Sequence, residues 1–246
     1  PIGVIAAITP STNPIVTAMT KTMFALKGRN AIILTPHHNA FHCSTETVKL
    51  INAELKKIGA PDYIVQILDS QSRINTKNLI ASADMVIATG GMGMVRAAYS
   101  SGKPAIGVGV GNVQCIVDRD VDIKEVAAKV VTGRAYDNGI LCSGEQSVIV
   151  PEEKHDEIIG AFKQSGAYYV VDAGEKEVFR KVLFTEAGAI NSRIVGKSAQ
   201  EIAKLAMVDI PADTRIIVID ADGIGEAEIL SKEKMCPVLS VYTYKD

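Results

Sequence analysis

Through its first 110 residues the chain alternates short, mostly unbroken apolar runs with stretches of helix length, and few folds accommodate that rhythm. The runs are residues 4–8, 31–34, 63–68 (interrupted by Gln66), 85–88 and 105–108; the helix-like stretches cover 15–26, 45–58, 76–83 and 94–99. A strand with one wet face alternates apolar and polar residues, whereas an unbroken run such as Val4-Ile5-Ala6-Ala7-Ile8 reads as buried on both faces, as in a parallel sheet. Strands regularly separated by helices then imply right-handed βαβ units and an α/β fold built on a doubly wound parallel sheet. Ligands of such sheets bind beyond the carboxyl ends of the strands. The turns that follow the apolar runs are therefore the first places to look for chemistry.

The alternation continues past residue 122, with helices expected over 123–136, 152–162, 175–183 and 199–207, and strands over 148–150, 215–219 and 237–242. A boundary near residue 135 divides the chain into one α/β unit over 1–135 and a second over 136–246. A length of 246 residues suffices for one or two cores. The 26 Lys and Arg are scattered among 28 Asp and Glu for a net charge of −2, so no nucleic-acid surface is expected. No apolar run approaches the roughly 18 residues of a membrane helix. Cys43, Cys115, Cys142 and Cys236 are far apart, without a CxxC pair or a histidine at ligand spacing. That pattern predicts a reducing, cytoplasmic setting and neither disulfides nor a metal site. The chain starts at Pro1 without Met, in a strand-like run, as a piece of a longer protein would.

The most pointed stretch is Asp137-Asn138-Gly139-Ile140-Leu141-Cys142-Ser143-Gly144-Glu145-Gln146-Ser147. A structural cysteine usually lies within an apolar run, packed as a small hydrophobe. Cys142 instead lies between Gly139 and Gly144, which let backbone and substrate approach closely. It reads either as a nucleophile, with backbone N–H groups nearby for an oxyanion, or as a tucked-away thiol. Thr89-Gly90-Gly91-Met92-Gly93 sits between a strand and a helix, where glycines admit a dinucleotide to the helix N-terminus, although any tight βα turn has the same composition. Gly107-Val108-Gly109-Val110-Gly111-Asn112 suits a segment passing under a ligand, or a bulged strand between close neighbours. Asn13, in Thr9-Pro10-Ser11-Thr12-Asn13-Pro14, can donate its amide to an oxyanion or simply cap the following helix. His37, His38 and His42 read as solvated, His155 sits on a charged helix, and none is placed beside Cys142.

Taken together, the stretches ITPSTNP (8–14), KGRNAIILTPH (27–37), ATGGMGMVRAAYSSGKPAIGVGVGN (88–112), YDNGILCSGEQSVIV (136–150) and KEKMCPVL (232–239) resemble the CoA-acylating branch of the aldehyde dehydrogenase superfamily. They keep that branch's order and cover nearly the whole chain. The 136–150 run, the stretch INSRIVGKS (190–198) and the KEKMCPVL ending look closest to succinate-semialdehyde dehydrogenases that form succinyl-CoA.

The resemblance implies a Rossmann-like unit for a nicotinamide dinucleotide over 1–135, followed by part of a catalytic domain over 136–246. It implies Cys142 as nucleophile, with Asn13 and the Cys142 backbone N–H holding the oxyanion. Thr9, Pro10, Thr89, Gly90, Gly91, Gly93 and Gly109 fall along the cofactor path, and Glu233 matches the carboxylate that holds the nicotinamide ribose. NAD or NADP is the implied cofactor and coenzyme A the co-substrate. Two departures are informative. Hydrolytic relatives carry a water-activating Glu where this chain has Val108, so a thioester on Cys142 should await a thiol. NAD-preferring relatives often carry a Glu at the adenosine ribose where this chain has His38, which does not repel a 2′-phosphate. Family members also begin with a helical region before Pro1 and continue into a glycine-rich segment with a Gly-His-Thr motif. The resemblance therefore implies a homo-oligomer, dimer or tetramer, for the complete protein. Competing expectations are an acetaldehyde or propionaldehyde substrate, an inactive nucleotide-binding module, and hydrolysis with Glu145 as base.

Overall fold

The structure, a computed structural model, describes residues 1–69 and 72–245. It divides into two compact units, the first Pro1–Val110 and the second starting at Gly111. The first contains β1 (Val4–Thr9), α1 (Pro14–Lys27), β2 (Ala31–Pro36), α2 (Phe41–Lys57), β3 (Val65–Ile67), α3 (Arg73–Ser82), β4 (Met85–Thr89), α4 (Met92–Tyr99) and β5 (Ala105–Val108). Every strand pair is parallel, in the order β3-β2-β1-β4-β5. This is the doubly wound sheet expected from the apolar rhythm.

The two-sided burial of β1 explains its unbroken apolar run. Ile5 and Ala7 pack with Ala18, Ala25, Ile32 and Val48 on one face, beneath α1 and α2. Ala6 and Ile8 pack with Leu79, Ile80, Val86 and Ala98 on the other, beneath α3 and α4. Each fully buried aliphatic side chain contributes about 1.5–3 kcal/mol of transfer free energy.

The second unit repeats the design with β6 (Val113–Ile116), α5 (Ile123–Ala135), β7 (Glu145–Pro151), α6 (His155–Gln164), β8 (Ala167–Val170), α7 (Ala173–Leu183), α8 (Ala199–Ala206), β9 (Ile216–Asp220) and β10 (Val238–Tyr244). Its parallel order is β6-β7-β10-β9-β8. Val148, Val150, Ile216, Val218 and Leu239 meet α5 and α6 on one face. Ile217, Ile219 and Val238 meet α7 and α8 on the other.

Two differences from the expected organisation have physical causes. The units divide between Val110 and Gly111 rather than near residue 135, because β6 pairs with β7 and α5 packs on that same sheet. The strands β6 and β8 do not stand out as apolar runs, since both are edge strands and Val-Gln-Cys-Ile alternates half-buried with exposed positions.

Ile32 is fully buried in β2, whereas Ile106 on edge strand β5 is 52% exposed. Ile32→Ala is expected to cost the first unit about 2–5 kcal/mol, while Ile106→Ala changes it by less than about 0.5 kcal/mol. Urea unfolding followed by circular dichroism checks both; equal losses would contradict the two-sided core.

Candidate active site

In the first unit the sheet order reverses direction between β1 and β4, which makes their carboxyl ends the place where a nucleotide binds in folds of this type. Thr9 and Pro10 leave β1 there, and Thr89 and Gly90 leave β4. Thr9 is 2% exposed and its hydroxyl has no hydrogen-bond partner among the described residues. Gly91 is the N-cap of α4, and a methyl group built on Gly91 or Gly93 meets nothing within 4 Å. The protein's own packing therefore does not demand glycine there, and the helix start is open to a phosphate. His38 lies exposed in the turn after β2, its ring 4.1 Å from that of His37. Burial, then the neighbouring His38, lowers the His37 pKa.

Asn13 occupies the N-cap of α1 with φ −152°, but its side chain makes no capping hydrogen bond. The helix-cap role considered for it is thus not the one the side chain plays. Gly107 and Gly109 have close side-chain neighbours. A methyl group on Gly107 would come within 2.8 Å of Tyr99 and Val95, and one on Gly109 within 2.6 Å of the Met92 sulfur. Val108, paired with Thr89 across β4 and β5, is 53% exposed.

In the second unit the chain enters the cysteine loop through three consecutive left-handed residues, Asp137 (φ 48°), Asn138 (φ 50°) and Gly139 (φ 68°). Asp and Asn tolerate this region better than other side chains because their short polar groups bond locally. Asn138 Nδ2 donates to the Gly196 carbonyl at 3.0 Å. Gly139 is required on two counts, its positive φ and its neighbour. A methyl group there would lie 2.5 Å from the carbonyl carbon and oxygen of Cys236 and 2.9 Å from the Pro237 nitrogen. The turn delivers Cys142 to an exposed position as a free thiol. Gly111 lies against Cys142, since a methyl group on it would be 2.9 Å from the Cys142 carbonyl oxygen.

Glu233 is half-buried nearby. Burial raises its carboxyl above the usual range, and the Gly111 N–H, Arg134 and Lys234 oppose that rise. The structure thus groups Cys142 and Glu233 around Gly111, and gathers Thr9, Pro10, Thr89, Gly90, Gly91 and Gly93 at one end of the first sheet.

Three buried cations were not foreseen. Lys21 on α1 donates to the carbonyls of Ile8 (2.5 Å) on β1 and Ile87 (3.1 Å) on β4, and burial pushes its pKa down to about 7. Its place on the buried stripe Ala18, Lys21, Thr22 and Ala25 was the available signal. Lys234 is fully buried and donates to the carbonyls of Gln146 and Lys232, each at 3.0 Å, while its backbone N–H donates to Gln146 Oε1 at 2.9 Å. Arg134, in the last turn of α5, is fully buried and donates through Nη2 to the Cys236 carbonyl. Burial lowers its pKa, opposed by Cys236, Glu145 and Glu233.

A cleft of about 600 Å³ elsewhere in this unit contains none of the expected residues; Arg180 in its wall is already paired with Asp222 (2.7 Å) and Glu228 (2.6 Å). Among the described residues no cluster of His, Cys, Asp and Glu could hold a metal ion, and no helix is long and apolar enough to cross a membrane.

Gly139→Ala forces both a strained φ and a backbone clash, and is expected to destabilise the second unit by about 2–4 kcal/mol in urea unfolding. An effect below about 0.5 kcal/mol would show that the Cys236 peptide moves freely. A second expectation concerns pH. Burial, then Arg134, lowers the Lys234 pKa from 10.5 to about 7. Between those values the unfolded chain binds a proton that the folded chain does not, so stability rises with pH across that window. Lys234→Met removes this contribution. Unfolding at pH 7 and about pH 9.5 should show wild type gaining relative to the variant; a constant difference would mean that Lys234 stays charged when folded.

Comparison with known proteins agrees with this geometry. A succinate-semialdehyde dehydrogenase (acetylating) of Clostridium kluyveri is 56% identical over 244 residues, covering 99% of this chain and 54% of the relative. The crystal structure of an acetylating aldehyde dehydrogenase from Geobacillus thermoglucosidasius superposes with a TM-score of 0.94 at 35% identity, covering 100% of this chain and 54% of that one. A propionaldehyde dehydrogenase of Rhodopseudomonas palustris, solved with bound CoA and an acylated cysteine, superposes at 0.90 with 31% identity, covering 100% of this chain and 56% of that one. The chain thus spans about half the length of these relatives. Residues 1–246 of this chain match the model of the aldehyde dehydrogenase family, and the chain belongs to that family.

Proposed function

We propose that the complete protein oxidises an aldehyde, succinate semialdehyde in the first instance, and passes the acyl group to coenzyme A. The balance is aldehyde, NAD(P)⁺ and CoA to acyl-CoA, NAD(P)H and a proton. The Cys142 thiolate adds to the aldehyde carbon, and Asn13 with the Cys142 backbone N–H holds the resulting oxyanion. A bound nicotinamide dinucleotide supplies the hydride acceptor, held along Thr9, Pro10, Thr89, Gly90, Gly91 and Gly93, with Gly109 beside that path and Glu233 at the nicotinamide ribose. Hydride loss leaves a thioester on Cys142. The CoA thiolate then attacks that carbonyl and the Cys142 thiolate departs. Exchange of one thioester for another is nearly balanced in energy, so the reaction runs in both directions.

The observation that carries acyl transfer over hydrolysis is that neither position considered for a water-activating carboxylate, 108 or 145, offers one to Cys142. Position 108, a water-activating Glu in the hydrolytic relatives that the sequence resembles, is an exposed Val. Glu145, the alternative base, faces inward: its Oε2 is buried, and a methyl group on Gly133 would lie 2.5 Å from it. The names of the relatives support the aldehyde class, with succinate semialdehyde from Clostridium kluyveri and propionaldehyde from Rhodopseudomonas palustris as first and second choices. His38 carries no negative charge to oppose a 2′-phosphate, which supports NADP as well as NAD. We place the complete protein in the cytoplasm as a homo-oligomer, dimer or tetramer.

The test is reduced-cofactor formation by the full-length protein with succinate semialdehyde and NADP⁺ or NAD⁺, with and without CoA. Turnover is expected only with CoA, with succinyl-CoA as product, and Cys142→Ala should lower it by at least about 10³-fold. Steady release of free succinate without CoA would overturn acyl transfer. CoA-dependent turnover of acetaldehyde or propionaldehyde alone would replace the substrate, and a full-length protein that binds dinucleotide without reducing it would leave only a binding module.

A further inference from the structure

We infer that Arg134 is a positioning residue that fixes the Glu233 turn relative to the Cys142 loop, an assignment that rests on the acyl-transfer reading of this site. Arg134 lies fully buried in the last turn of α5, immediately before the left-handed turn at 137–139. Its Nη2 donates to the Cys236 carbonyl. Its Nη1 lies beneath the far end of the loop, where a methyl group on Gly144 would be 3.5 Å from it. Neither Nη1 nor Nε has a hydrogen-bond partner among the described residues. A buried guanidinium so incompletely paired is a poor source of stability, because its desolvation outweighs a single hydrogen bond. Its role is better read from what it ties together.

The Cys236 peptide is the point where several constraints meet. Gly139 abuts it from the start of the cysteine loop. Met235, just before it, has φ 47°, so the chain turns sharply there. The Val238 N–H donates to the same carbonyl at 2.7 Å, and Arg134 reaches it as well. Three residues earlier, Glu233 interacts with the N–H of Gly111, and Gly111 lies against the Cys142 backbone. The contacts close a ring from Cys142 through Gly111, Glu233 and Cys236, back through Arg134 and Gly139 to Cys142. Removing the Arg134 hydrogen bond opens this ring on the Glu233 side. The cysteine loop keeps its tether to α5 and its contact at Gly139, so Cys142 stays reactive while Glu233 is free to shift.

The experiment compares Arg134→Met and Arg134→Lys with wild type in the full-length protein. Two readouts separate positioning from general damage: the rate of Cys142 alkylation by iodoacetamide without cofactor, and the dissociation constant for NADP⁺ with its KM in CoA-dependent turnover. Arg134→Met should alkylate within about twofold of wild type but bind NADP⁺ about tenfold to a hundredfold more weakly, the loss expected for a charge-assisted hydrogen bond. Arg134→Lys, which keeps a donor for the Cys236 carbonyl, should recover most of that loss. Adding Glu233→Gln to Arg134→Met should weaken binding little further, because the two changes act through one contact. Parallel falls in alkylation and binding, unchanged binding, or additive losses in the double variant would each overturn the assignment. If Arg134→Met does not fold, Arg134→Gln carries the same readouts. Wild-type turnover tests acyl transfer separately: a wild type that binds NADP⁺ but reduces none overturns that reading, while the binding comparison still decides the role of Arg134.

Discussion

The second unit depends on a contact that admits no side chain, the Gly139 α-carbon against the Cys236–Pro237 peptide. Two segments nearly a hundred residues apart in sequence meet there backbone to backbone, and each is bent to make the meeting possible. One bends through Asp137, Asn138 and Gly139, all at positive φ, and the other through Met235 at φ 47°. Non-glycine residues in that region cost about 1–2 kcal/mol each. Such strain persists only where the surroundings over-determine it. Here the Asn138 hydrogen bond to Gly196, the anchoring of α5 in the core and the strand β10 starting at Val238 do so. The result is a cysteine presented on a rigid turn at the surface of a packed sheet.

The same region concentrates buried charge. Lys234 and Arg134 are both fully buried; burial lowers the pKa of each, Arg134 lowers that of Lys234 further, and Glu233 favours the protonated form of both. Among the described residues Lys234 answers its desolvation with two carbonyl acceptors, whereas Arg134 has one. Such groups lend less to stability than apolar residues of equal volume. The apolar faces of the sheet carry the stability instead, with Ile216, Ile217, Val218 and Ile219 all fully buried on β9 and supported from both sides. Core and site are thus separate in kind: aliphatic burial holds the sheet, and directional bonds to a few backbone carbonyls set the turns at its end.

How much of this was legible in sequence follows from the same division. Unbroken apolar runs marked β1, β2 and β4 because those strands are buried on both faces, and alternation hid the edge strand β6. Asp137-Asn138-Gly139 reads in sequence as a turn, and it is one; that it turns left-handed three times because of Cys236 depends on a partner distant in the chain. Cys142 stood out by its small neighbours, and it is exposed. Gly107 and Gly109 stood out equally, and Tyr99, Val95 and Met92 pack against them. Lys21, Arg134 and Lys234 did not stand out, since a lone cation in sequence reads as surface and only tertiary packing reveals where its charge goes. The amide of Asn13 illustrates the converse: sequence placed it at a helix cap, and the backbone confirms the position while the side chain declines the bond.

In the acyl-transfer reading, the fate of a thioester on Cys142 turns on which bases the fold leaves available to water. Hydrolysis at neutral pH needs a carboxylate or imidazole that can take a proton from water while facing the acyl carbon. The two residues between Cys142 and the start of β7 bring the chain to Glu145, but that carboxylate lies against Gly133, where Arg134 contributes a favourable charge and one oxygen has no solvent. A carboxylate held inward in this way is turned away from water. Coenzyme A needs no such base, because a thiol near neutral pH already supplies some thiolate, and a thiolate is intrinsically far more nucleophilic than water. The geometry that turns Glu145 inward is therefore also what leaves the acyl group to a thiol.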